Sequence, residues 1–489
     1  MLRKIRIVLA ALFFAAITLL FLDFTGVMHT YLGWMAKVQF LPAVLALNVG
    51  VIVALLLLTL LVGRVYCSVI CPMGVMQDCF SWLGGKVKKN RFHFAKNRVV
   101  LRIVALVAFV LLMVLGLNAI AILVAPYSAY GRIATSLFQP VYLWINNIFA
   151  YFCERAESYT FYHVDVWVKS GAVLAVSVVT FVVIGVLSFR WGRLWCNTIC
   201  PVGTVLGFFS KFALVKPRID ENKCVHCGKC AKNCKAQCID GDNRKIDYSR
   251  CVACMDCIDN CKLGAIKLSA KGAKPAEAKA AGEVDSSRRK FVVTSAVVGT
   301  AMAVKAQETK VDGGLAVLED KQLPERKVPV KPFGSQSLKH FSSHCTACQL
   351  CVAECPENVL RPSSKLTTMM QPEMQFDKGY CRPDCTRCSD VCPAGAIKLI
   401  DEAQKSAICV GHAVTVSHNC LLANGENCNA CSRHCPAAAI SIVEDSSTGR
   451  SVVTVNESLC IGCGACEHYC PVRPFSAIYV EGYEVHLTK

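Results

Sequence analysis

Four long apolar stretches fill the first half of the chain, from about Ile7 to Leu22, Leu41 to Val62, Val99 to Val124 and Gly171 to Phe189. Each approaches the ~20 residues that carry an α-helix across ~30 Å of hydrocarbon, so the pattern predicts four membrane-spanning helices. Their flanks differ in charge. Arg3, Lys4 and Arg6 precede the first; Arg64, Lys86, Lys88, Lys89, Arg91, Lys96 and Arg98 separate the second from the third; Arg190, Arg193, Lys211, Lys216 and Arg218 follow the fourth. Lysine and arginine accumulate on the cytoplasmic side, which puts the N-terminus inside. The connections 26–40, with only Lys37, and 125–170, where Arg132, Arg155 and Lys169 face Glu154, Glu157 and Asp165, then lie outside.

Beyond residue 215 cysteines set the rhythm. Two runs read Cys224, Cys227, Cys230, Cys234 and Cys251, Cys254, Cys257, Cys261. Four more read Cys345, Cys348, Cys351, Cys355; Cys381, Cys385, Cys388, Cys392; Cys420, Cys428, Cys431, Cys435; and Cys460, Cys463, Cys466, Cys470. Three cysteines two residues apart converge on three irons of one 4Fe-4S cube, and the fourth reaches a neighbouring cube. That crossing places Cys261 with the first triplet and Cys234 with the second. It likewise predicts Cys392 with Cys345, Cys348 and Cys351, and Cys355 with Cys381, Cys385 and Cys388. By analogy Cys470 joins Cys420, Cys428 and Cys431, and Cys435 joins Cys460, Cys463 and Cys466. Pairing of outer with inner runs among the last four stays open and leaves the ligand set unchanged. Zinc sites bring two ligands from each of two knuckles, and disulfides need no repeated triplet, so six 4Fe-4S clusters are expected. The last four runs carry Pro356, Pro393, Pro436 and Pro471 after the fourth cysteine, where the first two have Lys235 and Lys262; Cys381–Cys385 and Cys420–Cys428 are stretched.

Composition sharpens this picture. The 489 residues are 54% hydrophobic and 18% charged, too apolar for a soluble protein of this length and too long for one domain. The net charge of +18 sits in the loops that set membrane orientation, and no nucleic-acid partner is expected. Of 32 cysteines, Cys79, Cys153, Cys238 and Cys409 fall outside every motif and read as small buried apolar residues. The 125–170 connection gathers Tyr127, Tyr130, Tyr142, Trp144, Tyr151, Tyr159, Tyr162, His163 and Trp167. An interfacial aromatic belt accounts for them. The sharper alternative is a quinol pocket in which His163, with Asp165 or Glu157, takes the quinol protons.

Residues 63–81 and 192–210 repeat one string: Gly-Arg, an apolar and an aromatic residue, Cys-x3-Cys-Pro, one residue, Gly. Both copies close an outside-to-inside helix, so Cys67 and Cys71 should meet Cys196 and Cys200 beside the cytoplasmic surface. Cysteines four apart share a helical face. The two pairs could hold a seventh cluster or a metal, or act as exchanging dithiols.

A Lys/Ala/Gly/Glu linker follows the first two runs, and then Ser287-Arg288-Arg289-Lys290-Phe291 opens an uncharged stretch ending at Val304-Lys305-Ala306, the pattern of a twin-arginine export signal. Val292 stands where leucine is usual. Export of folded protein suits a domain that must take up its clusters before leaving the cytosol. The expected organisation is a membrane domain over 1–215, a two-cluster module over 216–268, a linker over 269–286, the signal or membrane segment over 287–306 and a four-cluster module over 307–489. The fold class is thus an α-helical membrane domain of four helices plus α+β modules of the bacterial-ferredoxin kind.

These parts, in this order, resemble the NapH and NapG type of ferredoxins, related to the MauN type, fused in one chain: 1–268 is similar to the membrane-bound partner with its twin Cys-x3-Cys-Pro motifs, 287–489 to the exported partner with four clusters. The resemblance implies a quinol dehydrogenase of a bacterial inner membrane. It would pass electrons from the quinol pool through 4Fe-4S clusters to a periplasmic reductase or cytochrome acceptor, with 216–286 cytoplasmic and 307–489 periplasmic. Two other functions use the same motifs. A cupric-ion reductase would bind copper at Cys67, Cys71, Cys196 and Cys200, and a maturation or scaffold factor would serve a metalloreductase.

Overall fold

The computed structural model describes residues 2–87, 92–158, 160–270, 319–365, 368–444 and 450–489. The residues of the twin-arginine pattern lie outside these. In the first half the chain forms α1 (Leu2–Leu22), α2 (Val49–Val62), α3 (Pro72–Val87), α4 (Val99–Val114), α5 (Pro126–Ile133), α6 (Gln139–Arg155), α7 (Gly171–Trp191) and α8 (Pro201–Ser210), with shorter turns of helix between them. Among the described residues α1 and α7, 21 residues each, are long and apolar enough to cross a membrane.

The two other expected spans are interrupted. The stretch from Leu41 to Val62 breaks where Leu47 takes a left-handed backbone (φ 52°), after which Asn48 Oδ1 accepts from Val51 N and caps α2. The stretch from Val99 to Val124 breaks at Gly116 (φ 76°), leaving α4 and a separate turn over Asn118–Val124. Each break lies beside a single asparagine, Asn48 or Asn118, within an otherwise apolar stretch. The connection 125–170 differs more. Its first part is helical and enclosed: α5 is buried along its whole length and runs through a π-helical turn (Ala134–Phe138) into α6. Tyr127 and Tyr130, read above as belt residues, are core residues. Tyr127 packs on Phe21 with ring centroids 5.8 Å apart, and Tyr130 lies edge-on to Phe14 at 5.5 Å. Tyr142, Trp144, Tyr151 and Tyr162 are exposed.

Both cysteine-rich segments fold as short helices and two-stranded antiparallel ribbons. In the first, Val215–Ile219 pairs with Ile266–Ala270 and encloses both runs. In the second, Ile408–Thr415 pairs with Ile478–Thr488, Ile440–Glu444 with Ser451–Val455, and Leu360–Pro362 with Pro372–Met374.

The long helices hold the two modules at opposite ends. At the start of α1, Arg3 Nε is 2.9 Å from Asp256 Oδ1 of the first module; at its end, Phe21 lies against Gly131 and the Cys348 loop of the second. Just before α7, Lys169 Nζ donates to Val352 O (2.8 Å); just after it, Arg193 N donates to Lys235 O (2.8 Å). A helix of this length spans about 30 Å, so a similar depth of apolar helix separates the modules. Asp78 of α3 ties the first module down. Its carboxylate accepts from Arg6 (3.0 Å), Arg193 (2.7 Å) and Lys235 (2.8 Å), and three cations offset the cost of burying one anion.

Candidate functional site

The triplet loops are tight because their backbones turn through left-handed conformations. His226, Ala253, Met255, Ala347 and Gln349 all have positive φ, and the thiols of each loop converge as a result. Cys234, Cys251, Cys254 and Cys257 line one cavity. Cys355, Cys381, Cys385 and Cys388 line another, and Cys420, Cys428, Cys431 and Cys470 a third. Cys392 stands beside Cys345, Cys348 and Cys351, and Cys435 beside Cys460, Cys463 and Cys466. Cys224, Cys227 and Cys230 form the remaining triplet. Three of these groups leave a cavity walled by three thiols of one run and one of another, the donor set a cubane cluster needs. Backbone N–H groups also point at these sulfurs: Ala347 N at Cys345 Sγ (3.4 Å), Ala439 N at Cys435 Sγ (3.3 Å) and Ala477 N at Cys470 Sγ (3.4 Å).

Cys238 was not singled out by spacing, yet it is 2% exposed, shares the cavity of the Cys251 group and sits 3.6 Å, sulfur to sulfur, from Cys234. The readable signal was register. In four of the other five runs the residue before the isoleucine is alanine: Ala265, Ala396, Ala439 and Ala477.

The repeated Cys-x3-Cys-Pro strings fold into one interlocked site. Cys67, Cys71, Cys196 and Cys200 are all buried, with Cys196 and Cys200 in thiol contact and Cys67 and Cys71 beside them. Each copy's arginine crosses to the other copy. Arg64 Nη2 donates to Cys196 O (3.4 Å) and Arg193 Nη1 to Cys67 O (2.5 Å). The final glycine of each string makes room for that crossing. A Cβ on Gly74 would lie 2.2 Å from Cys67 O and 2.9 Å from Arg193; one on Gly203 would lie 2.3 Å from Cys196 O and 2.8 Å from Arg64. The opening glycines, Gly63 and Gly192, take positive φ at the helix ends. Two guanidiniums with no exposure, together with the buried amide of Gln77 beside Cys196, surround the four thiols, a setting fit for an anionic occupant. The site abuts the first module: Arg64 Nη1 also reaches Ser249 O (3.2 Å), and Asn197 Nδ2 donates to Ala236 O (3.1 Å).

At the other end, a cavity of about 230 Å3 opens where the second module meets the helix ends. Leu143, Val173 and Leu174 wall it from below, Tyr162, Asp165 and Trp167 from the connection, and Gln349, Val352 and Cys355 from above. Lys169 is also in its wall, and burial pulls its ammonium down to about 8 against the opposing pull of the Cys355 and Cys351 thiols. His163 is exposed and outside this lining. Glu157 is exposed and outside it too, whereas Asp165 faces both cavity and solvent.

Clustered thiols on short helices and ribbons, at both ends of apolar helices, define a multi-cluster iron-sulfur electron-transfer protein. Models of 4Fe-4S binding domains match residues 44–90, 173–220 and 216–239, and a model of a 4Fe-4S dicluster domain matches residues 344–396 and 426–473. The chain is 32% identical to the methylamine utilization ferredoxin-type protein MauM of Methylobacillus flagellatus, over 32% of this chain and 70% of that protein. It is 27% identical to the methylamine utilization ferredoxin-type protein MauN of Paracoccus denitrificans, over 42% and 57%, and 26% identical to the putative electron transport protein YccM of Escherichia coli, over 40% and 48%. It spans only about half the length of the last two. No solved structure matches. The chain belongs to the ferredoxin-type electron-transfer proteins of the NapG, MauM and MauN kind, with several 4Fe-4S ferredoxin domains.

Proposed function

We propose that the protein oxidises quinol in a bacterial inner membrane and delivers the electrons through 4Fe-4S clusters to a periplasmic reductase or cytochrome. One observation carries the reading: Cys355, a cluster ligand by its spacing, stands in the wall of a cavity whose floor is apolar helix, so a lipid-soluble donor and a cluster can share one site. The clusters would supply one-electron transfer; their ligands are the 24 run cysteines, grouped as six.

In this reading α1, α2, α4 and α7 cross the membrane, with help from the short helices that continue the broken spans. The N-terminus and residues 216–286 face the cytoplasm and residues 307–489 the periplasm, after export directed by 287–306. The charge pattern of the loops and the separation of the modules by α1 and α7 favour this arrangement. Cys67, Cys71, Cys196 and Cys200 form a seventh redox site, because two buried guanidiniums suit a cluster's negative charge.

Reporter fusions after Leu268 and after Lys489 test the topology: the first should report cytoplasm and the second periplasm, and one shared compartment overturns it. Anaerobic membranes carrying the protein should show cluster reduction by a quinol analogue. A full response to dithionite with none to quinol overturns the activity.

A further inference from the structure

The quinol reading leaves open which groups hold the donor, and the exposed His163 is not one of them. Gln349 lies between two cysteines of the Cys345 loop, with its backbone in the left-handed region (φ 68°). It is 2% exposed, and its amide nitrogen is fixed by donation to Met370 O (2.5 Å). The amide oxygen is buried without a hydrogen-bond partner, and Gln349 is among the residues that line the junction cavity. A buried carbonyl left without a donor is costly, which favours a ligand that brings an O–H or N–H. A cavity of ~150 Å3 takes benzene, so 230 Å3 holds one substituted six-membered ring. The tail of such a ligand would leave past Leu143 and Leu174, along apolar helix surface.

We propose that this cavity binds the quinol head group, one hydroxyl donating to Gln349 Oε1 and the other facing Asp165. This rests on the quinol-oxidation reading and adds its site. In each turnover both O–H bonds of the quinol break. The proton on the hydroxyl that faces Asp165 leaves by way of that carboxylate to outer water, and the proton on the hydroxyl held by Gln349 leaves to water at the open side of the cavity. The two electrons leave singly through the Cys355 side to the 4Fe-4S clusters and on to the external acceptor, and quinone departs. Gln349 gains and loses no proton; it orients the ring against the cluster loop. A second cavity of about 620 Å3, lined by His29, Lys37, Glu354, Arg387 and Asp390, lies nearby, but its charged, open walls suit a quinone ring poorly.

The test uses full-length protein in anaerobic membranes, with decyl-ubiquinol and 2,3-dimethyl-1,4-naphthoquinol as probes. Gln349→Leu should raise the quinol concentration for half-maximal cluster reduction about tenfold, the loss of one hydrogen bond. Leu143→Trp, on the helix floor of the cavity, should fill it and abolish quinol-driven reduction. Asp165→Asn should slow reduction and flatten its pH profile. All three should keep wild-type iron content and the EPR spectrum of the dithionite-reduced protein. If wild type responds to quinol while Gln349→Leu and Leu143→Trp match it, or if His29→Ala loses the response instead, the site assignment is overturned and the activity stands. If wild type itself gives no response, both fall.

Discussion

Gly131 is the point where the second module rests on the apolar helices, and a single methyl group there probes the docking. A Cβ added to Gly131 would lie 2.2 Å from Cys348 O and 3.0 Å from the Phe21 ring. Ordinary contact begins near 3.4 Å, so helix and cluster loop must separate by about 1 Å. Cys348 O is backbone in a loop held by neighbouring thiols, and Phe21 has no exposure, so neither side gives way cheaply. Overpacking of this kind costs about 1–3 kcal/mol, against which alanine in a helix gains ~0.5–1 kcal/mol over glycine. Gly131→Ala should therefore weaken docking by ~1–2 kcal/mol, roughly five- to thirtyfold in the population of opened junction. Gly85→Ala is the control, since nothing lies within 4 Å of a Cβ there. Hydrogen exchange should quicken over residues 345–355 and 126–133 in Gly131→Ala and stay unchanged in Gly85→Ala, with iron content equal in both. Identical exchange in Gly131→Ala and wild type, or equal disturbance in the control, would refute the close seat of the module on α5.

Other expectations follow from the same geometry. The cavity shared by Cys420, Cys428, Cys431 and Cys470 means that Cys470→Ser combined with Cys420→Ser should lose no more iron than Cys470→Ser alone, about four per chain, whereas Cys470→Ser with Cys460→Ser should lose about eight. Gly74→Ala and Gly203→Ala should lower thermal stability by similar amounts, ~1–3 kcal/mol each, because each methyl meets a cysteine carbonyl and a crossing arginine at matching distances; a large inequality would count against the interlocked pair. His486 is held down to about 4 by burial, from the usual 6.5, and neither ring nitrogen has a partner. The unfolded chain takes up a proton below pH 6.5 that the folded module refuses, so stability is intact above 6.5 and falls by up to ~3 kcal/mol as pH drops towards 4. His486→Phe should flatten that fall in acid melts of the second module.

What could be read from the sequence was what chemistry and lipid impose locally. Thiols that must meet on one cube leave a fixed spacing, and α1 and α7 appear in the hydropathy because each is a 21-residue helix of nearly unbroken apolar sequence. What could not be read depends on contacts between distant segments. Leu47 and Gly116 interrupt apolar stretches that a single asparagine each, Asn48 and Asn118, leaves apolar on average, and a left-handed φ has no hydropathy. Tyr127, Ser128, Tyr130 and Arg132 made α5 look like a surface connection. They are buried because Phe14 and Phe21 of α1 cover the rings, Ile122 O accepts from Arg132, and Cys348 closes over Gly131. The repeated Gly-Arg was visible, but not that each arginine serves the opposite copy; that exchange explains why the string keeps its glycines as well as its cysteines. The same reasoning accounts for His163 and Gln349. A histidine among aromatic residues draws attention in a sequence because of its own chemistry, while a glutamine between two cluster cysteines gains its role only when a helix 200 residues away supplies the rest of the cavity.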